Sequence, residues 1–218
     1  MWHDTRNGEG RDIYMNYSSD AGDSWLGAAQ RVEGDAPAAG NSLFPTCAAE
    51  GSTLHTAWYD QRSDTQGTDI YYRKANNGLM TDDEVRLDVG SADGFASTEG
   101  YANSRNPQVA LAGSTVVVAW QDGRGEASLG TDNGYEELYY NFSKAGAPFD
   151  ADQDYRIDSM YEGKSYKVDL NIAVIGDAFY AAWTDGRDGT SNIYFATYQV
   201  GEESNPPPLS ALEDAQNQ

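Results

Sequence analysis

One pattern, Trp-x-Asp-x-Arg, occurs four times in the 218 residues and constrains the fold more than any other feature. It reads "WHDTR" from Trp2, "WYDQR" from Trp58, "WQDGR" from Trp120 and "WTDGR" from Trp183, with Trp spacings of 56, 62 and 63. An acid or amide, a branched apolar residue and a tyrosine follow each copy, at 12–14, 69–71, 137–139 and 192–194. Arg-apolar-acid follows three of them, at 31–33, 86–88 and 156–158. The register also holds upstream. Gly51, Gly113 and Gly176 each precede their Trp by seven residues, Cys47, Val109 and Ile172 by eleven, and Pro45, Pro107 and Leu170 by thirteen.

Each complete unit offers four strands. In the third they are "QVALA", "TVVVAW", "ELYYNF" and "DYRIDS", here called A to D. Gly113 supplies the positive φ of a tight A–B hairpin. Strand B is apolar on both faces, as expected of a strand covered from two sides. Short strands without helices, repeating at about 60 residues, predict an all-β fold: a β-propeller of four-stranded antiparallel blades. Four repeat units are expected, at about 1–34, 41–90, 103–160 and 166–200, the first and last incomplete. A Pro-rich polar tail or linker is expected over 201–218. A β-sandwich with accidental periodicity is the alternative. The strand tally is two, four, four and three. It suggests a fragment of a longer propeller, a four-bladed ring closed by the N-terminal strands, or closure by a second chain through open edges.

Between strands C and D of the first unit stands "SSDAGDSW", residues 18–25. Ser18, Asp20, Gly22, Ser24 and Trp25 match the Asp-box, Ser-x-Asp-x-Gly-x-Ser-Trp. The chain thereby resembles the sialidase-like (neuraminidase, BNR-repeat) propeller family, many of whose members are secreted. The Asp20 carboxylate accepts turn N–H groups and Gly22 tolerates a left-handed φ. Trp25 is expected to plug the turn onto the blade. The corresponding segments "ANNGLM" and "SKAGAPF" keep little beyond a glycine. In that family the box lies on the face away from the active site, so it speaks for fold and not for activity.

In a strand, residues i, i+2 and i+4 share a face. Trp58, Asp60 and Arg62, then Trp120, Asp122 and Arg124, then Trp183, Asp185 and Arg187, therefore line up as inter-blade staples rather than as a ring of ligand groups. His55 and Cys47 fall at repeat positions held elsewhere by apolar or aromatic residues, and both read as structural, Cys47 as a small core residue.

The formal net charge is −21, with four Lys and ten Arg. Such a chain repels phosphate backbones, which excludes nucleic acid as a partner. No apolar run is long enough to cross a membrane as a helix, so membrane insertion is not expected. One cysteine forms no internal disulfide, and there is no Cys/His cluster for zinc. No cofactor is expected. Asp150, Asp152 and Asp154 are spaced like the start of a calcium loop, but Tyr155 and Tyr161 stand where such a loop needs Gly and Glu.

Two loops exceed the repeat, 89–106 between strands D and A and 125–136 between B and C. Both fall on the face propellers use for binding. The candidates there are Glu99, Tyr101, Arg105, Glu126, Asp132, Tyr135 and Glu136. The sialidase resemblance implies three arginines on a substrate carboxylate, a Tyr–Glu nucleophile pair and an Asp acid. Arg105, two before Pro107, fits the first arginine. Tyr135 and Glu136 put a Tyr beside a Glu. No further Arg stands outside the repeats to complete the set. The expected function is a non-catalytic module of a secreted or cell-surface bacterial protein, recognising a glycan or protein. A sialidase-type glycoside hydrolase is the alternative.

Overall fold

A computed structural model describes residues 1–62, 67–89, 102–124, 136–150, 152–158, 167–187 and 189–201. The first unit holds β1 (Trp2–Asp4), β2 (Asp12–Met15) and β3 (Gln30–Arg31). The second holds β4 (Ser42–Glu50), β5 (Thr53–Asp60), β6 (Asp69–Asn76), β7 (Leu79–Met80) and β8 (Val85–Arg86). The third holds β9 (Ser104–Ala112), β10 (Thr115–Asp122), β11 (Glu137–Ser143) and β12 (Tyr155–Arg156). The fourth holds β13 (Lys167–Ile175), β14 (Ala178–Asp185) and β15 (Asn192–Gln199). All the paired strands run antiparallel in sequence order, and the complete units follow the A-B-C-D pattern of a propeller-like fold. The first unit has three paired strands, not two: three residues are enough for β1 to pair with β2, Trp2 facing Tyr14.

The hairpins form where the glycines permit. Gly51, Gly113 and Gly176 have φ of 57°, 57° and 60° between strands A and B. Nothing lies within 4 Å of where their Cβ atoms would sit, so glycine is needed there for conformation, not for space.

Successive sheets pack face to face. Ile13, Met15 and Val32 of the first unit bury against Trp58 of the second. Ile70, Tyr72 and Leu87 bury against Trp120, and Leu138, Tyr140 and Ile157 against Trp183. Residues 116, 118 and 120 of β10 face the second unit while 117 and 119 face the fourth. A strand with a sheet on each side must be apolar on both faces, as β10 is throughout.

Each Trp is also a hydrogen-bond donor. Trp58 Nε1 donates to Asp60 Oδ2 at 3.1 Å, Trp120 Nε1 to Asp122 Oδ2 at 3.0 Å, and Trp183 Nε1 to Asp185 Oδ2 at 3.4 Å. The Arg two residues on pairs with the same carboxylate and lies over the Tyr opposite the Trp. Arg62 sits 3.9 Å from the Tyr71 ring centroid, Arg124 4.1 Å from Tyr139 and Arg187 4.2 Å from Tyr194. A guanidinium flanked by an aromatic face and a carboxylate keeps its charge in a low-dielectric setting.

The second Arg of each of the first three units joins two acids: Arg31 joins Asp12 and Glu33, Arg86 joins Asp69 and Asp88, and Arg156 joins Glu137 and Asp158. The acid of strand D also caps strand C, since the Leu138 N–H donates to Asp158 Oδ1 at 3.1 Å.

The Asp-box forms as a turn. Asp20 accepts from Ser18 Oγ at 2.8 Å, from the Ser24 N–H at 2.8 Å and from Ser24 Oγ at 2.5 Å. Gly22 has φ 97°. Trp25 does not plug the blade: it is 61 % exposed. The turn is closed by Asp20, by Ser18 Oγ, which accepts from the Gly22 N–H at 2.7 Å, and by the backbone, and the indole lies instead over a cleft facing the β4–β5 hairpin. Cys47 is likewise not in the core. It is exposed on β4 and lines the same cleft, on the face that looks toward the first unit; its counterpart Val109 packs against the full sheet of the second unit, whereas the first unit has no strand A among the described residues to cover Cys47.

Candidate functional site

The strands A, which are β4, β9 and β13, neighbour one another in succession. Each is interrupted by a bulge near its start, where pairing with strand B skips: between Leu43 and Thr46, opposite Ala119 and Gln121, and between Val168 and Asn171. The repeat places Phe44, Asn106 and Asp169 in these bulges, each fourteen residues before its Trp. All three are non-glycine residues in the left-handed region, with φ of 49°, 52° and 56°. Such a conformation costs a non-glycine residue on the order of 1–3 kcal/mol and is concentrated at functional sites.

The three bulges open onto one cavity of about 460 Å³, lined also by Thr46, Gln108 and Gln121. Asn106 Nδ2 donates to Gln121 Oε1 at 2.5 Å, and Gln121 Nε2 donates to the Lys167 carbonyl, tying the third unit to the fourth beside the cavity. Phe44 stacks on Tyr59 with centroids 5.6 Å apart at 17°, and His3 of the first unit lies 6.3 Å from Phe44. Burial raises the Tyr59 phenol above its ordinary pKa, against the pull of Arg105 and Arg11. The cavity therefore combines flat aromatic surface, fixed amides and one carboxylate, Asp169, whose side chain is solvent-accessible.

Arg105 precedes the bulge of β9. Its Nε lies 2.6 Å from Glu136 Oε1, so the structure brings these two candidates together. Lys167 Nζ donates to the Glu136 carbonyl at 3.2 Å, which holds the Glu136 backbone against the start of β13, two residues from Asp169. Glu99, Tyr101, Glu126, Asp132 and Tyr135 lie outside the described residues.

Asp150, Asp152 and Asp154 do not converge. The Asp152 N–H donates to Asp150 Oδ1 at 2.9 Å, a local turn, while Asp154 is buried and paired with Arg124 at 2.7 Å. Among the described residues no three His, Cys, Asp or Glu side chains gather to hold a metal ion. No helix among them is long and apolar enough to cross a membrane.

The sequence reasoning missed Phe44, Asn106, Gln121 and Asp169. The signal was the repeat position before Pro45, Pro107 and Leu170, where three unlike residues share a backbone state and not a chemistry.

No family model matches the chain, and no curated protein matches it. Among solved structures it is similar to an α-L-arabinanase of Penicillium chrysogenum complexed with arabinobiose, at 16 % identity over 84 % of this chain and 55 % of that one, TM-score 0.49. It is similar to an α-L-arabinofuranosidase of Fusarium graminearum in complex with an iminosugar inhibitor, at 15 % identity over 87 % and 55 %, TM-score 0.46. The catalytic domain of a Coprinopsis cinerea GH62 α-L-arabinofuranosidase gives 12 % identity over 91 % and 56 %, TM-score 0.42. The chain thus spans a little over half the length of these proteins. The sequence-based expectation of a non-catalytic recognition module is corrected here: the solved structures to which the chain is similar are an arabinanase and two arabinofuranosidases. None of the three is named as a sialidase.

Proposed function

We propose that the chain is part of a glycoside hydrolase whose glycan sits in the cavity between the three bulges. The observation that carries this reading is Asp169, a carboxylate in a left-handed bulge, opening onto the same cavity as Phe44, Asn106 and Gln121. A sugar ring offers an apolar C–H face and a rim of hydroxyls. Phe44 fits the first, and the Asn106 and Gln121 amides fit the second. Hydrolysis of a glycosidic bond ordinarily needs two carboxylates flanking it. Asp169 lines the cavity and is offered as one; Glu136, paired with Arg105 just before β11 and outside the cavity lining, is offered as the other. An ion-paired carboxylate suits the nucleophile or base in preference to the proton donor.

The test is hydrolysis of a panel of aryl glycosides, including an α-L-arabinofuranoside and a sialoside, by the chain and by Asp169→Asn and Glu136→Gln. The reading expects turnover of at least one member, lowered about 10²–10⁴-fold by either substitution. Turnover that survives Asp169→Asn unchanged would remove the cavity from the reaction.

A further inference from the structure

The Asp-box turn and the β4–β5 hairpin face each other across a cleft of about 430 Å³ that shares no lining residue with the bulge cavity. β4 divides the two: Thr46 lines the cavity while Cys47 and Ala49 line the cleft, since alternate residues of a strand point to opposite faces. The equivalent gap between the third and fourth units is bridged, with Lys144 Nζ 3.0 Å from Asp177 Oδ2. Lys144 stands two residues before the turn glycine Gly146, and Asp177 one after the hairpin glycine Gly176. In the first and second units those places hold Asp20, two before Gly22, and Ser52, one after Gly51. Asp20 turns inward to Ser18 and Ser24, and Ser52 Oγ donates to Asn76 Oδ1 at 3.1 Å, so neither closes the gap.

We propose that this open cleft is a second binding site, separate from the bulge cavity, for an uncharged glycan of about disaccharide size stacked on Trp25. The ring is exposed, yet its backbone is held on both sides. The Ser24 N–H donates to Asp20 Oδ1 at 2.8 Å, the Leu26 N–H to the Tyr17 carbonyl at 3.0 Å, and Asn16 Nδ2 to the Leu26 carbonyl at 3.3 Å. An exposed flat ring on a fixed backbone is a preorganised platform, because a ligand that stacks there orders little of the protein. The indole face suits the C–H face of a sugar ring, and the hydroxyls of Ser18, Ser52 and Thr53 line the rim where sugar hydroxyls would lie. The volume falls within the range of small-molecule sites. The ligand class follows from charge. No side chain lining the cleft is charged, in a chain with 35 acids and 14 bases, while Asp20, Asp23 and Glu50 adjoin lining residues in the sequence. An anion is repelled by those neighbours, and a cation leaves water for a lining without a carboxylate. A neutral glycan meets neither cost.

Cys47, the one cysteine of the chain, is exposed within the cleft and reports on its occupancy. Alkylation of its thiol by iodoacetamide is followed by mass spectrometry on the full chain, with arabinobiose, xylobiose or cellobiose added. At a sugar concentration about ten times Kd, the rate is expected to fall about tenfold, because about a tenth of the clefts stay free. An unchanged rate with all three sugars at about 0.1 M, a hundredfold above a millimolar Kd, overturns the proposal. Digalacturonate, an anionic disaccharide, is expected to protect less than the best neutral sugar. Equal or better protection by digalacturonate overturns the assignment of an uncharged ligand.

Three variants locate the protection. Trp25→Ala removes an exposed ring, which the fold does not need, and is expected to abolish it. Ala49→Arg places a long side chain in the cleft from an exposed position on β4 and is expected to do the same. Protection that persists in either variant contradicts the site. Asp169→Asn, in the bulge cavity, is expected to leave Cys47 protection intact, so that failure of the hydrolase reading and failure of this site read separately. If Asp169→Asn removes the protection, the sugar acts from the bulge cavity and the second site falls.

Discussion

Lys167 Nζ lies 3.1 Å from Asp158 Oδ2, and both side chains are buried at the junction of the third and fourth units. At the two earlier junctions a serine holds this position: Ser42 Oγ donates to Asp60 at 2.8 Å and Ser104 Oγ to Asp122 at 3.1 Å. Burial pushes the Asp158 carboxyl up, but Lys167 and Arg156 outweigh it and hold the group below the usual carboxylate range. At the junction before, Asp88 lacks such an ammonium, and burial leaves it above that range.

Replacing the ammonium by an apolar chain leaves the buried Asp158 with Arg156 as its remaining cation. Lys167→Met is expected to cost about 3–5 kcal/mol, the usual penalty for removing one partner of a buried pair. Lys167→Ser restores the chemistry of the other two junctions and is expected to cost less. Urea unfolding of the three chains reads the order directly.

The same Trp-Asp-Arg-Tyr arrangement occurs at the surface and in the interior. The Arg6 side chain is 45 % exposed and that of Arg124 is 1 % exposed. Arg124→Ala leaves Asp122 and Asp154 buried without their cation and is expected to cost about 3–5 kcal/mol. Arg6→Ala is expected to leave the urea midpoint nearly unchanged, because water screens its pair.

Arg124 serves two buried acids and can neutralise only one. Burial pushes Asp122 up, but Arg124 outweighs it and holds Asp122 below the usual range, while burial takes Asp154 up to about 8. Burial likewise takes Glu137, which shares Arg156 with Asp158, up to about 7. These folded values lie above the unfolded values of about 4. The folded chain therefore binds more protons between about pH 4 and pH 8, and its stability falls as pH rises through that window. The urea midpoint is expected to drop from pH 5 to pH 8, and Asp154→Asn is expected to flatten the slope. A midpoint that rises over this range contradicts the assignment.

The Asp-box and its Trp separate in their effects. Asp20→Ala removes the acceptor for Ser18, for Ser24 and for the Ser24 amide, so exchange at that amide is expected to quicken by about tenfold or more. Trp25→Ala removes an exposed ring and is expected to leave that exchange unchanged. If Trp25→Ala alone loosens the turn, the indole holds it after all.

The repeat was legible because Trp58, Trp120 and Trp183 meet one chemical requirement at every junction: a large ring to fill the gap and an N–H for a buried acid. The fate of Trp25 was not, because a turn motif states how its backbone closes and not what its last side chain covers. The cavity was still less legible. Phe44, Asn106 and Asp169 share only a backbone angle, which leaves no trace in side-chain chemistry. Arg105 stood out as an arginine before a proline, but its partner Glu136 comes from the next strand pair and had to be brought to it by the fold. The proline column beside the bulges was in view, and its neighbours were the residues to examine.

The central claim is that the cavity between the three bulges receives a sugar. A crystal of the chain soaked with arabinobiose tests it most directly. The account predicts a sugar ring against Phe44, with a hydroxyl within hydrogen-bond distance of Asp169. A sugar seated only on Trp25 across the cleft, or a cavity that stays free of sugar at saturating concentration, would contradict it.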